Sequence, residues 1–579
     1  MIRHFVTGAR GRVRLALTGA VGAALLGLLV PLTGAATLRG NAASAAEATF
    51  VDPTMLAQAK ASPSTTFSVI VQSSLGLADA QTAVTQTLTG LGSGTIRQTY
   101  PMMSALSATM SGARLLKLPT TSGRTITPDT PVRMDGFSNY SNVQLWPYST
   151  GIAHVWDNQW YPAPPTPAIA VVDSGVDTSR PDLAKQLLIP QVTMTSLTPN
   201  SPGDGRGHGT FVASLLAGAA SPHVGAAPNG KLISLDVMDD RGMAMTRDVI
   251  AAAQWIFDNR YTYNIRVANF SLHSTVPSHF VVDPLDKAVE KLWLNGVVVV
   301  AAAGNYGVNG ASTNVLYAPA NDPFVITVGA ADTKGTLARS DDVAAPWSTW
   351  GYTPDGFTKP ELSAPGRYMV AAVPPSSTLA SERGGNIVSP GYMQLSGTSF
   401  AAPVVAGAAA QLLAQRPGLT PDDVKGLLML GADATTAATA RSLGAGELDV
   451  GKSNTLAPGA NPNAGLLPFV AHDWAANNTS YFDGASWEAA VAANPGWDAT
   501  VWDAKFWGSA SWDAKFWGTV SWNDKFWGTA SFADSSWSAQ ASGDVSREAV
   551  AESDKNATGY PLTAADKAAL GSDPYRSLP

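Results

Sequence analysis

Between residues 168 and 331 five short apolar runs recur: AIAVV (168–172), KLISLDV (231–237), RVANFSL (266–272), GVVVVAAAGN (296–305) and FVITVGAA (324–331). Most are separated by helix-length amphipathic pieces, such as Thr246 to Asn259 and Pro284 to Asn295. No other feature constrains the fold as much. Runs that are apolar and β-branched throughout must be covered on both faces, and helices between them return the chain so that successive strands run parallel. The expectation is an α/β domain, a doubly wound parallel sheet. In such sheets ligands sit beyond the carboxyl ends of the strands, so reactive side chains should stand just after the runs.

At 579 residues the chain exceeds what one ordinary core supports, so several units are expected. Residues 1–46 read as a secretory signal peptide: Arg3, Arg10, Arg12 and Arg14 precede the uncharged LALTGAVGAALLGLLV, and small residues offer an Ala43-Ser44-Ala45 cleavage site. An uncleaved membrane anchor is the alternative; the apolar run is short for a span of about 20 residues. Residues 47–135 alternate extended runs (67–72, 105–111) with helical patterns (77–88, 113–118), the mark of a small α+β unit. The parallel-sheet domain is assigned 136–452 and a Pro/Gly/Asn-rich linker 453–469. A tryptophan-rich repeat of period ten occupies 470–540, and 541–579 read as a poorly ordered tail.

The absence of cysteine removes disulfide frameworks, thiolate catalysis and thiolate zinc sites. The net charge of −7 is mild, and no Lys/Arg block follows the first 20 residues, so nucleic acid is not an expected partner.

Four polar side chains mark the ends of separate elements. Asp173 follows AIAVV in VVDSGVD, His208 sits between glycines in GRGHGTFVAS, Asn305 closes VVVVAAAGN, and Ser399 opens the alanine-rich stretch LSGTSFAAPVVAG. Each alone has an ordinary explanation as a turn, a cap or a strand end. Together they supply what acyl transfer needs. A serine hydroxyl requires a base, the imidazole requires a carboxylate to fix its tautomer, and an amide donor can meet the developing oxyanion. An α/β-hydrolase arrangement is rejected, because it would need Gly-x-Ser-x-Gly with acid and histidine after the serine. Here Ala401 stands in the fifth position and both partners precede Ser399.

VVDSGVD, GHGTFVAS, AAAGN and SGTSFAAPVVAG, in that order, resemble the signature segments of the subtilisin-like serine proteases, the subtilases. The likeness covers roughly residues 140–450. It implies a subtilisin-like fold with Ser399 as nucleophile, His208 as general base and then acid, Asp173 as orienting carboxylate, and Asn305 as oxyanion donor beside the Ser399 N–H. It also implies that the 47–135 unit is an inhibitory prodomain, removed by the enzyme itself between Arg133 and Trp146. A peptide substrate would pair as an added strand along Ser271, Leu272 and His273, and along Ala302, Ala303 and Gly304 on its other side. His273 replaces the glycine usual after Ser-Leu, which re-shapes the pocket for the residue before the scissile bond. Phe211 stands where many relatives have histidine, and the short AGAASPHV lacks the Asn-rich loop that binds calcium in some of them. No cofactor is therefore expected, and structural calcium is not predicted.

These readings make the chain a secreted or cell-surface serine endopeptidase with protein or peptide substrates, its own prodomain serving as inhibitor. The alternative is a surface-attached binding or scaffold protein with an idle protease fold, suggested by His273 and the C-terminal repeat. VWDAKFWGSA, SWDAKFWGTV, SWNDKFWGTA and SFADSSWSAQ run in register, and ten of the seventeen tryptophans lie between Trp474 and Trp537. They read either as an aromatic-stacked appendage or as a module for cell wall or polysaccharide, whose sugar rings suit flat indole faces.

Overall fold

The computed structural model describes residues 50–89, 94–118, 123–129, 131–134, 144–156, 165–220, 223–435, 437–439, 441–474 and 478–493. All belong to one compact unit, Ala46–Pro579. The expected signal peptide, the decapeptide repeats from 494 onward and the tail lie outside the described residues. Among those described, no helix is long and apolar enough to cross a membrane.

The first layer is a five-stranded sheet of β1 (Phe50–Val51), β2 (Thr66–Ser73), β3 (Gly94–Tyr100), β4 (Ala105–Ser111) and β5 (Arg124–Pro128), in the order β1-β5-β2-β4-β3. Helices α1 (Pro53–Ala61), α2 (Leu77–Leu88) and α3 (Gly112–Leu115) accompany it. Strand alternation divides β2 between two cores. Val69 and Val71 pack with Met55, Ala80, Val84 and Leu106, while Ile70 joins the main core with Tyr100 and Met102.

That main core surrounds an eight-stranded sheet. Its strands are β7 (Ala168–Asp173), β8 (Val192–Thr193), β9 (Leu232–Asp236), β11 (Ile265–Phe270), β13 (Val298–Ala302), β14 (Ile326–Asp332), β15 (Val343–Ala344) and β16 (Leu362–Pro365). The order is β15-β14-β13-β11-β7-β9-β8, with β16 also on β14, and all pairs but β14–β15 are parallel. The expected parallel sheet is thus present, and its strands β7, β9, β13 and β14 are buried throughout, while the edge strands β8 and β15 are not. From β7 the chain first builds outward through β9 and later returns to β11 on the other side. The crevice where the order reverses lies at the carboxyl ends of β7 and β11, where Asp173 and Ser271 stand.

Helices α4 (His208–Ala217), α5 (Thr246–Asn259), α6 (Pro284–Trp293), α7 (Thr398–Gln415) and α8 (Pro421–Gly431) cover the sheet. Helix α7 lies across β11, β13 and β14 and against α4, with all but its last residue buried. Small side chains permit that approach: a Cβ on Gly407 would fall 2.4 Å from that of Ala226.

A three-stranded sheet completes the frame. β6 (Pro131–Met134) lies between β10 (Met243–Met245) and β12 (Leu272–Ser274), antiparallel to both. Within residues 453–469, expected as a linker, Ala457–Gly459 are exposed but the following residues are anchored. Asn463 and Leu466 are fully buried, and Asn463 donates to Phe324 O and Asp422 Oδ1. The first part of the expected repeat region forms a hairpin, β17 (Val470–Asp473) with β18 (Thr479–Phe482), and a helix, α9 (Gly484–Ala492). Trp487 packs on Phe280 and Phe357, and Thr479 accepts a bond from the Lys291 ammonium at 2.9 Å.

Candidate active site

Asp173 ends β7, and its Oδ1 lies 2.7 Å from His208 Nδ1. Both side chains are fully buried. The same oxygen accepts from Ser174 N at 2.8 Å, while Oδ2 is buried with no hydrogen-bond partner among the described residues. His208 is the first residue of α4. The glycines around it answer to sterics: a Cβ at Gly209 would lie 2.1 Å from Gly175 O, so only glycine lets the helix approach the Asp173 turn this closely.

A residue not singled out in the sequence fixes that turn. Asp204 accepts from Ser174 Oγ (2.9 Å), Gly207 N (2.6 Å), Thr210 N (2.7 Å) and Thr210 Oγ1 (2.6 Å). It thereby joins the strand end to the start of α4. Burial pushes its carboxyl up to about 7, against the pull of the four donated bonds. Asp236, opposite Asp173 on β9, is pushed up to about 6, chiefly by burial and further by the Asp173 charge.

Ser399 occupies the first turn of α7. Its hydroxyl donates to Ser271 O at 3.1 Å, and Ser271 Oγ donates to Ser399 O at 2.7 Å, so the helix start is tied to the end of β11. The next side chain, Phe400, packs its ring 5.4 Å from that of His208 and 4.5 Å from that of Phe211. Phe211, the departure noted in the sequence, therefore supports the wall behind the imidazole. Asn305 Oδ1 accepts from Thr398 N (2.9 Å) and Thr398 Oγ1 (3.0 Å), and Thr398 Oγ1 in turn accepts from Gly304 N (3.0 Å). With its oxygen engaged in this way, Asn305 keeps Nδ2 as a buried donor without a partner among the described residues. The Ser399 N–H lies in the first turn of α7, where N–H groups lack an acceptor four residues back. The buried Asn305 amide is thus fixed to Thr398, the residue before Ser399 at the helix N-terminus, an arrangement suited to a negative oxygen.

The residues expected to line the substrate lie in two places. Leu272 and His273 pair with β6, and Ser271 adjoins them. Ala302, Ala303 and Gly304 do not flank β6 on its other side; Met243–Met245 do. The reason is that Ala302 is already paired with Val328 inside the parallel sheet, and Ala303 N donates to Val328 O at 3.0 Å. The three-residue run MAM after Gly242 carries too little pattern to have revealed this pairing with β6. Among the described residues no group of three or more His, Asp or Glu is arranged to hold a metal ion.

Comparison with known proteins follows the same geometry. Residues 165–446 match the Subtilase family. The serine protease AprX of Bacillus subtilis (strain 168) is 35% identical over 274 residues, covering 46% of this chain and 61% of that protein. Subtilisin NAT of Bacillus subtilis subsp. natto is 32% identical over 262 residues, 44% of this chain and 58% of its own. Subtilisin of Bacillus pumilus is 33% identical over 262 residues, 44% of this chain and 80% of its own. The chain thus spans about three fifths of the length of the first two. The crystal structure of fervidolysin from Fervidobacterium pennivorans, a keratinolytic enzyme related to subtilisin, superposes with a TM-score of 0.52 at 22% identity, covering 68% of this chain and 62% of that one.

Proposed function

The chain belongs to the subtilase family, and from that premise we propose that it is an exported serine endopeptidase made as a self-cleaving precursor. Ser399 is the nucleophile. Its Oγ adds to the scissile carbonyl carbon as His208 Nε2 takes the proton, and Asp173 holds Nδ1–H and stabilises the imidazolium. Asn305 Nδ2 and the Ser399 N–H receive the oxyanion. The C–N bond then breaks, His208 delivers the proton to the leaving amine, and water hydrolyses the ester. The observation that carries this reading is the buried 2.7 Å Asp173–His208 bond at the reversal point of the sheet.

The precursor role of 47–135 is supported by β6, which fills the strand position between β10 and β12, and by complete burial of Ser399. Export is supported by the charged, apolar and small-residue pattern of 1–46. The test is the Ser399→Ala precursor: it should show no peptide hydrolysis and stay uncut, and wild-type Ser399 should take a fluorophosphonate label. A mutant that matures unaided refutes the assignment.

A further inference from the structure

Beside the Ser399 hydroxyl, aromatic rings bridge the two edges expected to line the substrate. Ser271 and His273 stand two apart at the start of β12, so their side chains leave the chain on one side, and the bond from Ser271 Oγ to Ser399 O shows which side that is. His273 is 1% exposed there. From the opposite edge Tyr306, which directly follows Asn305, leans over Gly304: a Cβ on that glycine would fall 3.2 Å from Tyr306 Cδ2. The ring centroids of His273 and Tyr306 are 5.2 Å apart, and Tyr317 closes the third side at 5.5 Å from His273 and 5.1 Å from Tyr306. Rings at these separations are in contact, and no side chain fits between them.

The rings are also held. His273 Nδ1 lies 2.6 Å from Ser274 O, and a carbonyl only accepts, so Nδ1 carries a proton. The neutral imidazole then accepts the Tyr306 hydroxyl at Nε2, 2.9 Å away. Tyr306 N donates to Thr349 Oγ1 at 2.8 Å, and Ser274 N donates to Ala318 O at 2.7 Å, which keeps the Tyr317 segment against β12. A group pushing either ring aside would first break the bond between imidazole and phenol, leaving buried polar atoms unpaired. The attacked carbonyl carbon must lie within bonding reach of Ser399 Oγ, with its oxygen toward Asn305 Nδ2. The side chain on that residue therefore has Ser271 and His273 on one side and Gly304 and Tyr306 on the other, which is the space the rings fill.

We propose that His273, Tyr306 and Tyr317 close the pocket for the residue before the scissile bond, so that this enzyme cuts after glycine, alanine or serine and excludes branched, aromatic and charged side chains. The proposal rests on the peptidase reading above and names its substrate class. His273 is the determinant on the β12 edge and Tyr306 the determinant on the Asn305 edge. Either one, cut back, opens the space from its own side.

The test is kcat/KM of the mature enzyme for one peptide sequence carrying Gly, Ala, Ser, Leu, Phe or Glu before the cut, with the broken bond located by mass spectrometry. Ala should exceed Leu, Phe and Glu by about 100-fold or more, because a larger side chain must force contacting rings apart. His273→Gly should raise Leu and Phe relative to Ala at least about tenfold, and Tyr306→Ala should do the same from the other edge, which serves if the first variant does not fold. A wild-type preference for Leu, Phe or Glu overturns the proposal, as does an unchanged ratio of Ala to Leu in a variant that still takes a fluorophosphonate label. The label on Ser399 separates the two readings: labelled wild-type enzyme that prefers a large residue loses only the closed pocket, whereas neither label nor hydrolysis removes the peptidase reading as well.

Discussion

Thr398 shows how much of the site depends on one hydroxyl. It accepts from Gly304 N and donates to Asn305 Oδ1, so it sets which way the Asn305 amide is turned. Thr398→Val keeps the volume and removes both bonds. It should cost about 1–3 kcal/mol of stability through the buried Gly304 N–H left unpaired. It should also lower kcat about tenfold with little change in KM, because the lost alignment matters where the oxyanion develops. The check is a double-mutant cycle with Asn305→Ala: if Thr398 acts through Asn305, its effect on kcat disappears in that background. Asp173, His208, Asn305 and Ser399 are legible in the sequence because each follows an apolar run or sits in a glycine- and alanine-rich context. Thr398 and Asp204 are not, since their work is hydrogen bonding to backbone and side chains placed by the fold, in Thr398's case 93 residues away.

Among the elements, legibility follows periodicity. The amphipathic pattern located α5 at Thr246–Asn259, and the apolar runs located β7, β9, β11, β13 and β14 to within a few residues. Short edges such as β10 and the anchored coil within 453–469 escaped, because Pro, Gly and Asn mark a flexible linker and a hydrogen-bonded coil alike until Asn463 is seen to meet Asp422 and Lys425. Packing at α7 gives one prediction: Gly407→Val forces side-chain carbon against Ala226 and should destabilise by about 1–3 kcal/mol, read from the denaturant midpoint. The loop before α6 gives another. His279 Nδ1 pairs with Asp355 Oδ1 at 2.9 Å. Burial alone would lower the histidine pKa, but the Asp355 charge and hydrogen bond outweigh it and raise the value above the ordinary 6.5. The folded state therefore holds this proton more tightly than the unfolded state. The contribution is complete below about pH 6.5 and is lost as pH rises through the raised value. The Tm difference between wild type and His279→Gln should accordingly shrink as pH rises above about 6.5, and a constant difference would contradict the pairing.

At the scale of the whole molecule, the N-terminal sheet is held to the catalytic layer at two places. β6 is paired on both edges, and the sheet itself rests on α5. There Tyr100 Oη donates to Arg247 O (3.0 Å), Met102 N donates to Gln254 Oε1 (2.8 Å), and Asp129 receives both the Arg247 N–H (3.0 Å) and its guanidinium (2.5 Å). A carboxylate at the first turn of α5 also meets the positive end of the helix. Burial raises the Asp129 pKa and Arg247 opposes that rise, so the pair compensates a charge that would otherwise be costly to enclose. On the precursor reading proposed above, the 47–135 strand competes at a high effective concentration while the chain is intact, and after cleavage it must hold by these contacts alone. Arg247→Ala leaves Asp129 buried without its partner, at a cost of about 3 kcal/mol or more. That corresponds to about 100-fold weaker retention of the cleaved unit. Cleavage itself should proceed, since Arg247 touches no reacting group, but the lag between the cut and full peptide hydrolysis should shorten sharply. Following both events in one sample, by gel for the cut and by a fluorogenic peptide for activity, decides it: an unchanged lag would place the control of release in β6 alone.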